Sequence, residues 1–230
     1  MEKHIIAIVG GGFGRSSSSC LIEHYILRLS NKLCPKICFI PTATGDDDTY
    51  IVRFYSVFSR LKCIPSHIEF FKRTIDLKDH IMNQDVIFVG GGNTKSMLAV
   101  WREWSMDNIL LQAYNKGVIM SGVSAGAICW FTKGITDSWD NQLQILPCLD
   151  FIKGVCCPHY DEEPARIPYV NKVLKEQKIS SCVSIEAGTA MHFIDGNPHK
   201  NVSFNKNKNS YNVFCQNNII IQKPFSMMQL

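Results

Sequence analysis

Gly122-Val123-Ser124-Ala125-Gly126 sets a serine between two glycines at the G-x-S-x-G spacing. The apolar run Gly117-Val118-Ile119-Met120 precedes it, and Ala127-Ile128-Cys129-Trp130-Phe131 follows as the start of a helix. Strand, sharp turn and helix would point the hydroxyl of Ser124 outward, where it can act as a nucleophile. Glycine is needed on both flanks because a side chain in so tight a turn would strike the neighbouring strand or helix. The same residues also fit a plain glycine-rich turn. A base, an orienting acid and an oxyanion site are what separate the two.

Position sorts the seven histidines. His4 and His80 fall at element edges, His24 and His67 on early elements, His192 in an alternating hairpin and His199 in a polar loop. His159 remains. It follows an apolar run and a proline, stands beside Tyr160 and Asp161, and is the best base for an elbow serine. Gly90-Gly91-Gly92-Asn93-Thr94 ends a buried strand, and a backbone amide there, paired with that of Ala125, would make an oxyanion hole. Asn93 or Thr94 also fits a helix N-cap, and both roles are compatible. Gly10-Gly11-Gly12-Phe13-Gly14-Arg15 matches neither the P-loop nor the dinucleotide fingerprint, so nucleotide binding is not expected.

These loops need elements to hold them. Ile5-Ile6-Ala7-Ile8-Val9 is continuously apolar, as a strand covered on both faces would be, and a Ser-capped amphipathic helix is expected from about 17 to 29. Strands are expected at 37–40, 67–71, 85–89 and 118–120, with helices at 48–61 and from the Gly90 loop to about Tyr114. Alternating strands and helices predict an α/β fold with a doubly wound, mostly parallel sheet. The reactive loops would then share its carboxyl edge. Beyond the elbow, residues 136–142 read as a loop rich in Asp and Trp, 145–147 as an apolar turn, and 164–177 as a helix. Short runs flank Gly188, and 211–222 suggest a C-terminal antiparallel hairpin.

The chain of 230 residues is 46% hydrophobic, enough for one domain spanning 1–230. The densest basic stretch, 200–208, is too short and Asn-rich for a nucleic-acid groove. No apolar run approaches the ~20 residues of a membrane-spanning helix. The ten cysteines are dispersed in apolar runs without a C-x-x-C pair, and nothing resembling a signal peptide precedes them. They point to a reducing compartment, to a cytoplasmic protein, and away from a metal site.

Gly90-Gly91-Gly92-Asn93-Thr94, Gly122-Val123-Ser124-Ala125-Gly126-Ala127, Pro158-His159-Tyr160 and Glu186-Ala187-Gly188-Thr189-Ala190, in that order, resemble the peptidase E family of serine peptidases, which includes cyanophycinases. The likeness covers about 5–195. It implies a fold similar to class I glutamine amidotransferases (flavodoxin-like), with serine in place of the cysteine nucleophile, and hydrolysis of peptides with N-terminal aspartate. By that resemblance Ser124 is the nucleophile, His159 the general base, and Gly91 or Gly92 with Ala125 the oxyanion donors. Asp137, in a Thr-Asp-Ser turn, is the expected third member, with Asp140 and Glu186 as alternatives. Arg166 is expected to bind the substrate carboxylate, and Glu186 and Asn93 to contribute to substrate binding. The implied partner is a small peptide, without cofactor, metal, nucleic acid or membrane, and a homodimer is left open. Two rival readings remain: a cyanophycinase-like hydrolase of aspartate-arginine polymer, and a non-catalytic binding protein on the amidotransferase-like fold.

Overall fold

The computed structural model describes residues 2–13, 20–73, 75–139 and 142–230. Its first half alternates as β1 (His4–Val9), α1 (Leu21–Arg28), β2 (Lys36–Ile40), a 3-10 turn (Thr42–Thr44), α2 (Asp48–Phe58), β3 (Ile64–His67), α3 (Leu77–Met82), β4 (Val86–Val89), α4 (Thr94–Glu103), α5 (Met106–Lys116), β5 (Ile119–Val123) and α6 (Ala125–Ile128). The second half is mostly strand: β6 (Phe131–Trp139), β7 (Gln142–Pro147), β8 (Ile152–Cys157), α7 (Arg166–Lys175), β9 (Ser181–Ile185), β10 (Thr189–Ile194), β11 (Asn197–Ser203), β12 (Ser210–Gln216), β13 (Ile219–Pro224) and β14 (Met227–Gln229).

The fold is α/β, with two sheets rather than one. Eight strands run in the order β14-β11-β10-β1-β5-β4-β2-β3 and six in the order β13-β12-β9-β8-β6-β7. The expected parallel arrangement holds for the adjacent strands β1, β5, β4, β2 and β3. Beyond β1 the larger sheet continues with antiparallel β10 and β11. The expected C-terminal hairpin exists as β12 and β13, but β12 also pairs with β9 and so belongs to the second sheet.

The apolar run of β1 has a direct physical cause. Ile5, Ala7 and Val9 enter one hydrophobic cluster, Ile6 and Ile8 the cluster on the opposite face, and all five are fully buried. A strand covered on both faces has no position left for a polar side chain. On α2 the Asp47 carboxylate caps the helix by accepting from the Tyr50 amide at 2.7 Å, while Ile51, Phe54 and Phe58 enter the core. Asn93 caps α4 in the same way, accepting from the Ser96 amide at 2.9 Å.

Three expectations need correction. The helix after the Gly90 loop is two helices, broken at Trp104-Ser105, where Ser105 has φ 52°. Residues 136–139 extend β6 and 142–147 form its antiparallel partner β7, so the described part of the expected loop and the expected apolar turn are strand. The third strand is Ile64–His67, earlier than expected. The expected Ser17 cap and Arg15 lie outside the described residues.

A buried polar cluster stands away from the reactive loops. His192, 2% exposed, contacts the His4 ring nitrogen at 2.9 Å and the Tyr25 hydroxyl at 2.7 Å, with the His199 ring 5.2 Å away. Burial, reinforced by His4, His199 and Lys200, lowers its pKa to about 3. His192 is therefore neutral when folded and would take up a proton near pH 6.5 when unfolded. Its contribution is present above that pH and is lost as pH falls from about 6.5 toward 3, with an upper limit on the order of 4–5 kcal/mol. Urea unfolding across this window should show stability falling with pH more steeply in the parent than in His192→Gln. Parallel curves would rule out His192 as the source.

Candidate active site

Ser124 lies between β5 and α6 with φ 56° and ψ −105°, a backbone conformation that costs energy for a residue with a side chain. Close packing enforces it. A Cβ on Gly126 would fall against the Val89 carbonyl, and one on Gly122 against the Gly126 carbonyl. The Ser124 amide donates to the Ile8 carbonyl at 3.0 Å, tying the elbow to the end of β1. The two glycines of G-x-S-x-G are thus required by space, and the strained serine is held by its neighbours.

The Ser124 Oγ is 2.9 Å from His159 Nε2, and His159 Nδ1 is 2.7 Å from Glu162 Oε2. His159 itself has φ 53°. An ionised carboxylate only accepts, so Nδ1 carries the proton facing Glu162 and Nε2 accepts from the serine hydroxyl. The carboxylate side chain is 47% exposed and the imidazole 17%. This overturns the choice of acid. Asp137 does not reach His159; its Oδ1 lies 3.7 Å from an Arg166 nitrogen, and its side chain is 53% exposed. Glu186 accepts from the Asn209 amide at 2.9 Å, and Asp140 lies outside the described residues. Glu162 was missed although His-x-x-Glu in a turn places the two side chains on the same side, and the run Asp161-Glu162-Glu163 was the available signal.

Hydrogen bonds lock the histidine loop to the rest of the edge. The Tyr160 amide donates to Ile185 O at 3.1 Å, and the Ala187 amide donates to Asp161 Oδ1 at 2.8 Å. The second Asp161 oxygen pairs with the Lys208 ammonium. Burial alone would raise the Asp161 pKa, but the Lys208 ammonium and the Ala187 amide outweigh it and hold the carboxyl below its usual range. The motif around Glu186 therefore supports the loop that carries His159.

A pocket of about 490 Å³ opens over the serine. Gly10, Gly11, Gly91, Gly92, Ser124 and His159 line it, so the glycine loops, the elbow and the histidine meet at one edge as expected. A Cβ on Gly91 would sit 3.3 Å from that of Ser124, which places the Gly91 backbone beside the hydroxyl. The Gly91 amide donates to the Tyr50 hydroxyl at 3.3 Å and would exchange that acceptor for an oxyanion. The Ala125 amide, in the first turn of α6, has no intrahelical acceptor. A larger cleft of about 660 Å³ lies at the amino ends of the strands, lined by His4, Lys36, Asp85 and Ile119, and carries no hydroxyl–imidazole pair.

Arg166 and Asn93 are turned to other work. The Arg166 side chain is 3% exposed, its Nε donates to Glu163 at 2.6 Å, and an Nη donates to the Ile135 carbonyl at 2.9 Å. It fastens β6 to the turn behind His159 and does not line the pocket. Arg166 therefore stands behind the histidine loop rather than at the expected carboxylate contact in the pocket, with its Nε and one Nη engaged by the protein. Asn93 caps α4 and donates to Ser138 O at 3.4 Å. Among the described residues, no group of three or more His, Cys, Asp or Glu could hold a metal ion, and no helix is long and apolar enough to cross a membrane.

An outward serine between strand and helix, with imidazole and carboxylate in series behind it, is the arrangement of hydrolases that form an acyl intermediate. The chain belongs to peptidase family S51, whose family model matches residues 5–200, and it is a peptidase. It is 42% identical over 229 residues to an uncharacterized peptidase, YgaJ, of Bacillus subtilis (strain 168), covering 99% of both chains. The crystal structure of a peptidase from an acI-B1 Actinobacterium superposes with a TM-score of 0.73 at 14% identity, over 98% of this chain and 94% of that one. A Listeria monocytogenes EGD-e protein provisionally assigned to peptidase E superposes with 0.62 at 17% identity, over 98% of this chain and 100% of that one. At those identities the two superpositions speak for the fold alone.

Proposed function

We propose that the protein is a serine peptidase that hydrolyses small peptides bearing an N-terminal aspartate. The observation that carries the chemistry is the 2.9 Å contact between Ser124 Oγ and His159 Nε2 on a strained elbow in the pocket. His159 takes the hydroxyl proton as Ser124 attacks the scissile carbonyl. The oxyanion receives the amides of Gly91 or Gly92 and Ala125. The imidazolium returns its proton to the leaving amine, and water, activated by the same imidazole, releases the acyl group. Glu162 holds the imidazole in the attacking tautomer and stabilises its charge.

The preference for aspartate comes from the family resemblance. The same proposal includes the amidotransferase-like description of the fold, a single domain across the chain and a cytoplasmic location, the last supported by cysteines that are all free. The test is kcat/KM for matched Asp-X, Asn-X and Glu-X dipeptides. Asp-X should be favoured over Asn-X by roughly 30- to 1000-fold, as expected when a neutral amide loses a charge-assisted pair. Equal turnover of all three would remove the specificity, and no turnover of any peptide would remove the activity.

A further inference from the structure

With Arg166 buried in the protein's own contacts, the pocket needs another cation if it is to hold an acidic peptide. Among the described residues lining it, Arg53 alone carries a positive side chain other than a protonated histidine. Asp47, the N-cap of α2, and Tyr50 and Arg53 within the helix follow one another at intervals of three, a spacing that puts Tyr50 and Arg53 on one stripe of the helix beside its cap. Ile51, Phe54 and Phe58 take the core-facing side, leaving that stripe to the pocket wall. The stripe is anchored beside the reactive serine, since the Tyr50 hydroxyl accepts from the Gly91 amide at 3.3 Å. Arg53 lies one turn further along the same helix. Its side chain is exposed, and no carboxylate among the described residues pairs with it. Asp47, the pocket's own acid, is engaged at the helix cap.

We propose that Arg53 binds a carboxylate of the peptide substrate. The inference rests on the peptidase function above. A planar guanidinium takes a carboxylate through two parallel hydrogen bonds, which a lysine in the same place would match in charge but not in geometry. A small Asp-X peptide offers two such groups, the aspartate side chain and the C-terminal carboxylate, and the chemistry of recognition is the same for both.

The test is calorimetric binding of Asp-Leu, Asn-Leu and Asp-Leu-amide to the Ser124→Ala protein, alone and combined with Arg53→Met or Arg53→Lys. Folding is checked by circular dichroism. Arg53→Met should weaken Asp-Leu roughly 10- to 30-fold, the lower part of the range for a charge-assisted bond because the site is open to water, and Arg53→Lys should recover part of the loss. If the aspartate side chain is the ligand, Asn-Leu binding should be insensitive to Arg53→Met. If the C-terminus is the ligand, Asp-Leu-amide should be the insensitive peptide. Unchanged affinity for Asp-Leu, an equal loss for all three peptides, or no measurable binding of Asp-Leu would overturn the proposal. Turnover by the parent protein is measured separately, so a failure of hydrolysis contradicts the peptidase chemistry while the binding pattern still decides the role of Arg53.

Discussion

Ser124→Ala is expected to leave a folded protein whose peptide hydrolysis falls by several orders of magnitude, roughly 10³- to 10⁶-fold. The substitution removes only the Oγ that stands 2.9 Å from His159 Nε2. It leaves the packing of Gly122 and Gly126 against each other and against Val89 untouched. The oxyanion amides and pocket walls remain, so the residual rate reports what binding and electrostatic stabilisation achieve without an acyl intermediate. Thermal unfolding should stay close to the parent or rise slightly, because alanine removes a polar atom from a strained position. A loss of less than tenfold, in protein shown to be folded, would remove Ser124 from the chemistry.

The second large effect separates the carboxylates. Glu162→Gln should lower kcat by roughly 10²- to 10³-fold, because an amide at this position can donate to Nδ1 and favour the wrong tautomer. The loss is set below that of a buried triad acid, since the Glu162 side chain is 47% exposed and water can share its task. Asp137→Asn should change kcat by only a few-fold, acting through the 3.7 Å contact with Arg166 rather than on the imidazole. Glu186→Gln should act on the support of the loop through the Asn209 amide and show as lower stability. A profile in which Asp137→Asn abolishes turnover and Glu162→Gln does not would reverse the assignment.

What the sequence disclosed and what it withheld follow from the range of the forces involved. The inner parallel strands were legible because a strand covered on both faces must be apolar throughout, as Ile5 to Val9 are, whereas the edge strand β3, only partly buried, was placed too late. Ser124 and His159 were legible because the glycines that permit the elbow are themselves a local pattern, and because the other six histidines fell on elements, at element edges or in a polar loop. The break between α4 and α5 was not, since Trp104-Ser105 contains neither glycine nor proline and the turn there is made by Ser105 in a left-handed conformation. β6 was missed because its outer residues are partly exposed and its partners β7 and β8 are assigned only by three-dimensional register. Arg166 was expected at the substrate carboxylate. Its burial depends on the Ile135 carbonyl 31 positions away in the chain, which no local pattern announces. Glu162 had a local signal at i+3, but the family resemblance drew attention to Asp137, Asp140 and Glu186.

The chemistry centred on Ser124 is most directly tested by intact-protein mass spectrometry after exposure to a small neutral fluorophosphonate, followed by peptide mapping. A single adduct on Ser124, formed rapidly in the parent and at least 10²-fold more slowly in His159→Ala, is the expected result, because only a hydroxyl activated by the neighbouring imidazole reacts at useful rates near neutral pH. No adduct on folded parent protein, an adduct on a residue outside the pocket, or equal labelling with and without His159 would contradict it.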